Sequence, residues 1–118
     1  FAAGSSTSTG YLWTAGHYVT GTRTTSLSTI SSVDLYAVID YNSLTCDNNI
    51  FNVIVEDVVV GSFTIEAGDE TVEAYLDSLS VSVSGDLDIK YEVTETVDGG
   101  CGSTYFGTGS NSFAVSGS

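Results

Sequence analysis

The sequence predicts an all-β fold, a two-sheet antiparallel β-sandwich of the jelly-roll kind with about seven to nine short strands and no long helix. Three observations carry that expectation. Apolar and polar residues alternate at period two through most of the chain. Clusters of Gly, Asn, Asp and Ser punctuate the alternating runs, as turns require. No segment keeps a 3.6-residue apolar stripe over three turns.

Taken in order, residues 1–10 ("FAAGSSTSTG") carry few large apolar groups and read as a flexible or partner-bound arm. Residues 11–118 then form a single sandwich domain. "YLWTAGHYVTGTRTT" is aromatic and β-branched but interrupted by Gly16 and Gly21, so it predicts one or two short, bent strands. Val33, Leu35, Ala37, Ile39 and Tyr41 share one face of the next strand, with Tyr36 on the opposite parity. Phe51, Val53 and Val55 lead into a turn at Glu56-Asp57, and Val59, Phe63 and Ile65 follow it. Val72, Ala74 and Leu76 come next, with Tyr75 facing away from them; that strand is expected to run from 71 to 83.

In "LSVSVSGDLDIKYEV" the division of faces is clearest. Leu79, Val81, Val83, Leu87, Ile89, Tyr91 and Val93 fall on one parity and predict the buried side. Ser80, Ser82, Ser84, Asp86, Asp88, Lys90 and Glu92 fall on the other and predict a solvated one. "STYF" and "SFAVS" supply the last short strands.

Charge narrows the function classes. Fifteen Asp and Glu face only Arg23 and Lys90, a net charge of −13. Such a surface repels phosphate backbones and anionic lipid, so nucleic acid and membrane surfaces are not expected as partners. No apolar run is long enough for membrane insertion as a helix. The chain begins at Phe1 without Met and reads as a mature, processed polypeptide or an excised domain. Abundant Ser, Thr and Gly with a single Lys suit a secreted or extracellular surface protein, on a cell-surface filament or a virion.

Counting chain reversals places Cys46 and Cys101 at the same end of the sandwich. They are therefore expected to form a disulfide, in keeping with an oxidising compartment. The same count puts Asp47, Asp69, Glu70 and Asp98 in loops at that end. These are hard oxygen donors of the kind Ca²⁺ takes, although their spacing matches no EF-hand loop and solvated turn acids are the plainer reading. Calcium is the one cofactor the sequence suggests.

Catalysis is not expected. His17 is the only histidine, no Gly-x-Ser-x-Gly element presents a nucleophile, and one His with two distant Cys offers no zinc spacing. "GTGSN" and "GGCGS" lack the Lys of a phosphate loop. The aromatic set Tyr11, Trp13, His17 and Tyr18 would serve as a ligand-binding surface for sugar rings. Two non-enzymatic readings follow. The first is a structural assembly module that binds copies of itself, with Phe1, Tyr11 and Leu12 of the arm added to a neighbour's sheet edge. The alternative is a carbohydrate-binding or adhesive sandwich, stabilised by calcium, with glycans as partners.

Overall fold

A computed structural model describes residues 1–3, 11–45, 49–95, 102–107 and 112–118. Among them there is no helix. The strands are β1 (Ala2–Ala3), β2 (Tyr18–Thr24), β3 (Thr29–Ile30), β4 (Val33–Val38), β5 (Tyr41–Asn42), β6 (Asn49–Val55), β7 (Val58–Ile65), β8 (Thr71–Leu76), β9 (Val81–Ser82), β10 (Asp86–Glu95), β11 (Thr104–Tyr105) and β12 (Val115–Gly117). Two four-stranded sheets, β1-β12-β4-β8 and β2-β10-β6-β7, form the layers, and the two-stranded sheets β11-β5 and β3-β9 accompany them. Every pairing is antiparallel, as a hairpin-rich sandwich demands.

Parity decides which side is buried. Along β9 and β10, Val81, Val83, Leu87, Ile89, Tyr91 and Val93 are buried, Leu79 is half-buried, and the serines and aspartates between them are exposed. The same rule buries Val33, Leu35 and Ala37 of β4. The interior is aromatic at its centre. Phe51 stacks on Phe63 at 5.2 Å, Tyr91 meets Phe63 edge-on at 5.2 Å, and Phe113 lies 4.4 Å from Tyr91. Burial pushes the Tyr91 hydroxyl well above its usual pKa, so it stays neutral in the interior.

Two sequence expectations change. The run 71–83 is not one strand, because Ser78 takes φ +56° and turns the chain between β8 and β9. Val81 then pairs with Ile30 instead of continuing along β4. The Glu56-Asp57 turn is where expected, and both residues adopt positive φ (51° and 63°). A two-residue hairpin loop needs that hand of turn to match the twist of β6 and β7, even where neither residue is glycine.

Of the expected arm, residues 1–3 are described and residues 4–10 lie outside the described residues. Strand β1 pairs with β12 of its own chain, Ala2 opposite Ser116 and Ala3 opposite Val115. The Phe1 ammonium donates to Gly117 O at 2.7 Å, and the Gly117 N–H returns a bond to Phe1 O at 3.1 Å. The Phe1 ring lies where a Cβ on Gly117 would have to go. Leu12 is buried and bridged to Thr104. Strand β1 thus gives β12 an edge partner, and Phe1 and Leu12 make these contacts within the chain.

Candidate functional site

One end of the sandwich gathers polar loops and aromatic rings. Strand β5 pairs with β11, Tyr41 opposite Tyr105 and Asn42 opposite Thr104, and Leu12 adds itself along the other side of Thr104. Three tyrosines meet there. The Tyr11 ring stands edge-on to Tyr41 at 5.3 Å and tilted against Tyr105 at 5.4 Å. Tyr11 and Tyr41 remain about half exposed, at 54% and 48%. A mutually braced aromatic group open to water offers ring faces whose orientation is already fixed.

Beside the rings the backbone is held by side-chain amide and carboxylate bonds. Asn42 Nδ2 donates to Glu66 O at 3.1 Å and to Asp69 O at 2.9 Å, while its Oδ1 accepts from Leu44 N. Asp69 Oδ2 accepts from Glu66 N at 2.9 Å, which closes the 66–69 turn. Ser112 Oγ donates to both oxygens of Asp40, at 3.1 and 3.0 Å. Gly107, at φ +71°, leaves no room for a Cβ against the same carboxylate. Ile39, Asp40, Asn42, Gly68, Asp69 and Glu70 thereby line an oxygen-rich depression of about 320 Å³.

Of the four acids expected to bind calcium, Asp69 and Glu70 lie in this depression, while Asp47 and Asp98 fall outside the described residues. Among the described residues no group of three or more His, Cys, Asp or Glu converges on a metal position. The two expected acids among the described residues, Asp69 and Glu70, carry fewer carboxylate oxygens than the six to eight Ca²⁺ takes.

Cys46 and Cys101 also lie outside the described residues. Their flanks are joined: Ser43 N donates to Ser103 O at 3.0 Å, and Ser103 N donates to Ser43 Oγ at 3.1 Å.

The aromatic set divides. Tyr11 belongs to the tyrosine cluster. Trp13 and His17 form a separate pair on the adjoining loop, edge-on at 5.1 Å, with Trp13 N donating to His17 Nδ1 at 3.2 Å. Tyr18 sits on the outer face of the second sheet under Lys90. Tyr41 was expected on the core face, yet it is exposed, because the strand ends at Val38 and the chain restarts at β5. Asp40 and Asn42 on either side of it were the available signal of that break. Tyr105 went unnoticed as a site residue because the two-residue strand that carries it is too short to show a period.

No protein-family model matches this sequence, and no curated protein matches it. Two solved structures do resemble it over the whole chain. One is a carbohydrate-binding module, CBM36, in complex with calcium and xylotriose, 19% identical with a TM-score of 0.50, covering 100% of this chain and 88% of that one. The other is the CBM36-1 domain of a multidomain xylanase from the hindgut metagenome of Trinervitermes trinervoides, 12% identical with a TM-score of 0.57, covering 100% and 97%. The fold is a jelly-roll β-sandwich. At these identities the likeness concerns architecture, and it agrees with the two antiparallel four-stranded sheets of this chain.

Proposed function

We propose that this domain is a non-catalytic, secreted carbohydrate-binding module that holds a neutral glycan against its tyrosine end. The observation that carries the reading is the exposed, mutually braced cluster of Tyr11, Tyr41 and Tyr105 beside an oxygen-rich depression. Ring faces stack on pyranose rings, and Asp69, Glu70 and the Asn42 region accept hydrogen bonds from sugar hydroxyls. With a net charge of −13, uronic-acid-rich or sulfated glycans are disfavoured and neutral ones are not. Carbohydrate binding by the two structural neighbours supports the glycan reading over a filament or virion subunit, as does an N-terminal strand placed in this chain's own sheet. Xylan is the first polysaccharide to try, since xylotriose occupies one of those neighbours.

Calcium belongs to the same proposal. Asp69 and Glu70 would hold it together with Asp47 and Asp98, and the ion would neutralise a crowded acidic end and offer coordination to sugar hydroxyls. The test is retardation in native gels containing xylan, mannan or mixed-linkage β-glucan, with and without calcium or chelator. Retardation on at least one neutral polysaccharide is expected, weakened about ten-fold by Tyr41→Ala, which is the loss of roughly 1.4 kcal/mol of stacking. Migration unaffected by every polysaccharide overturns the reading. Indifference to both calcium and chelator removes the ion alone.

A further inference from the structure

We propose that the outer face of the first sheet is a second glycan-binding surface, a flat platform on β4 and β8 built from Tyr36, Tyr75, Asp34 and Glu73. The proposal rests on the glycan reading above and adds a second site to it. Register makes the platform. Asp34 stands opposite Tyr75 and Tyr36 opposite Glu73, so the two rings occupy one diagonal and the two carboxylates the other. Diagonal neighbours in an antiparallel pair lie about 7–8 Å apart. One chain of sugars can therefore lie across both rings with a carboxylate beside each.

The shape fits a polymer. Leu35 and Ala74 form the floor of a shallow trough of about 430 Å³ whose other lining residues are the four platform side chains. Tyr75 is the most exposed large apolar residue described, at 64%, and Tyr36 is 45% exposed. Neither ring stacks on another aromatic residue, and neither carboxylate makes an ion pair, among the described residues. Isolated aromatic faces on the outer side of a sheet, flanked by unpaired acceptors, are the groups that pyranose faces and hydroxyls satisfy. A second copy of this chain is the poorer occupant, because Asp34 and Glu73 would meet like charges on a −13 partner with no basic residue in β4 or β8.

The test uses the full chain and three double variants, Y36A/Y75A, Y36F/Y75F and Y11A/Y41A, in native gels containing xylan, mannan or mixed-linkage β-glucan. Trp13 fluorescence is the second readout, because the single tryptophan adjoins the tyrosine end and lies off the platform. Y36A/Y75A is expected to lose affinity for the polymer at least ten-fold while its melting temperature and its Trp13 response to xylotriose stay those of the unsubstituted protein. Y36F/Y75F is expected to bind normally, because stacking needs the ring and not the hydroxyl. Y11A/Y41A is expected to lose the Trp13 response and keep measurable polymer retention. If Y36A/Y75A binds normally and Y11A/Y41A abolishes retention, the platform is refuted and the tyrosine end stands. If the unsubstituted protein binds no polysaccharide, both readings fall. A dimer by size-exclusion chromatography that Y36A/Y75A dissolves would assign the face to a second copy and overturn the proposal.

Discussion

On the outer face of the second sheet, Thr22 donates to Asp88 at 2.6 Å, Thr20 donates to Ile89 O at 3.0 Å, and Lys90 lies 3.9 Å from Glu92 and 5.0 Å over the Tyr18 ring. On the outer face of the first sheet, Asp34, Tyr36, Glu73 and Tyr75 stand in register without such bonds. The alternation that exposes them is the same in both sheets. What differs is chemistry. Of the chain's two basic side chains, Arg23 and Lys90, Lys90 stands on the second sheet's outer face, on the same parity as Asp88 and Glu92, whereas Arg23 falls on the other parity, opposite Leu87. One outer face carries cross-strand bonds of its own, whereas the other presents acceptors and rings that, on the platform proposed above, a glycan would engage. A face of the first kind reports mutations in stability, and a face of the second kind reports them in binding.

That contrast presupposes a fixed parity, and the harshest way to break it is to violate the parity. Val83 is 8% exposed between the sheets, while Ser84 next to it faces water. Val83→Asp puts a carboxylate where no cation or donor awaits it, a cost of several kcal/mol that exceeds most of the stability of a domain this size. Circular dichroism should show no cooperative melt for Val83→Asp and a native-like melt for Ser84→Asp. Two equal melts would mean that the register of β9 and β10 is not held by burial.

Next in size is the tether at the tyrosine end. The bonds between Ser43 and Ser103 bring the segments leading to Cys46 and Cys101 together. A disulfide there would close a loop of about 55 residues and contribute on the order of 4 kcal/mol by the chain-entropy model. It would hold the chain entering β6 of the second sheet against the strand that carries Tyr105. Reductant, or C46S/C101S, should lower the denaturant midpoint markedly and weaken the Trp13 response to glycan. Two thiols titrating in the unreduced, denatured protein would exclude the bond.

How much of this was legible in the sequence depends on the length of each element. Strand β10 has ten residues, enough for period two to show which side chains are inside, and every apolar residue on its inner parity is buried. Tyr36 and Tyr75 were legible as outward-facing for the same reason. Strands β5 and β11 have two residues each, so no period marks Tyr41 or Tyr105, and only tertiary pairing places them beside Tyr11. The fate of residues 1–3 was equally hidden. They open a stretch with the composition of a free segment, and the pairing of Ala2 and Ala3 depends on the edge of β12, more than a hundred residues away in sequence. Ser78 gave no warning either, because a serine at positive φ is a response to the fold and not a propensity.

The smallest effect separates the two outer faces most directly. Thr22 and Asp88 are cross-strand partners joined by a hydrogen bond, and such pairs contribute roughly 0.2–1 kcal/mol. Thr22→Ala should lower the unfolding free energy by that much and leave glycan retention unchanged, because Thr22 belongs to neither proposed glycan surface. Tyr75→Ala should do the opposite. The ring touches water over most of its surface, so its removal costs the folded state little, and on the proposed platform it would remove a stacking partner for the glycan. Both variants keep the inner layer intact, so any difference between them belongs to the faces alone. Denaturant titration and gel retardation of the two proteins, run side by side, read the two quantities separately. Should Tyr75→Ala lose stability and keep its retention, the first sheet would be self-supporting like the second, and the distinction between the faces would collapse.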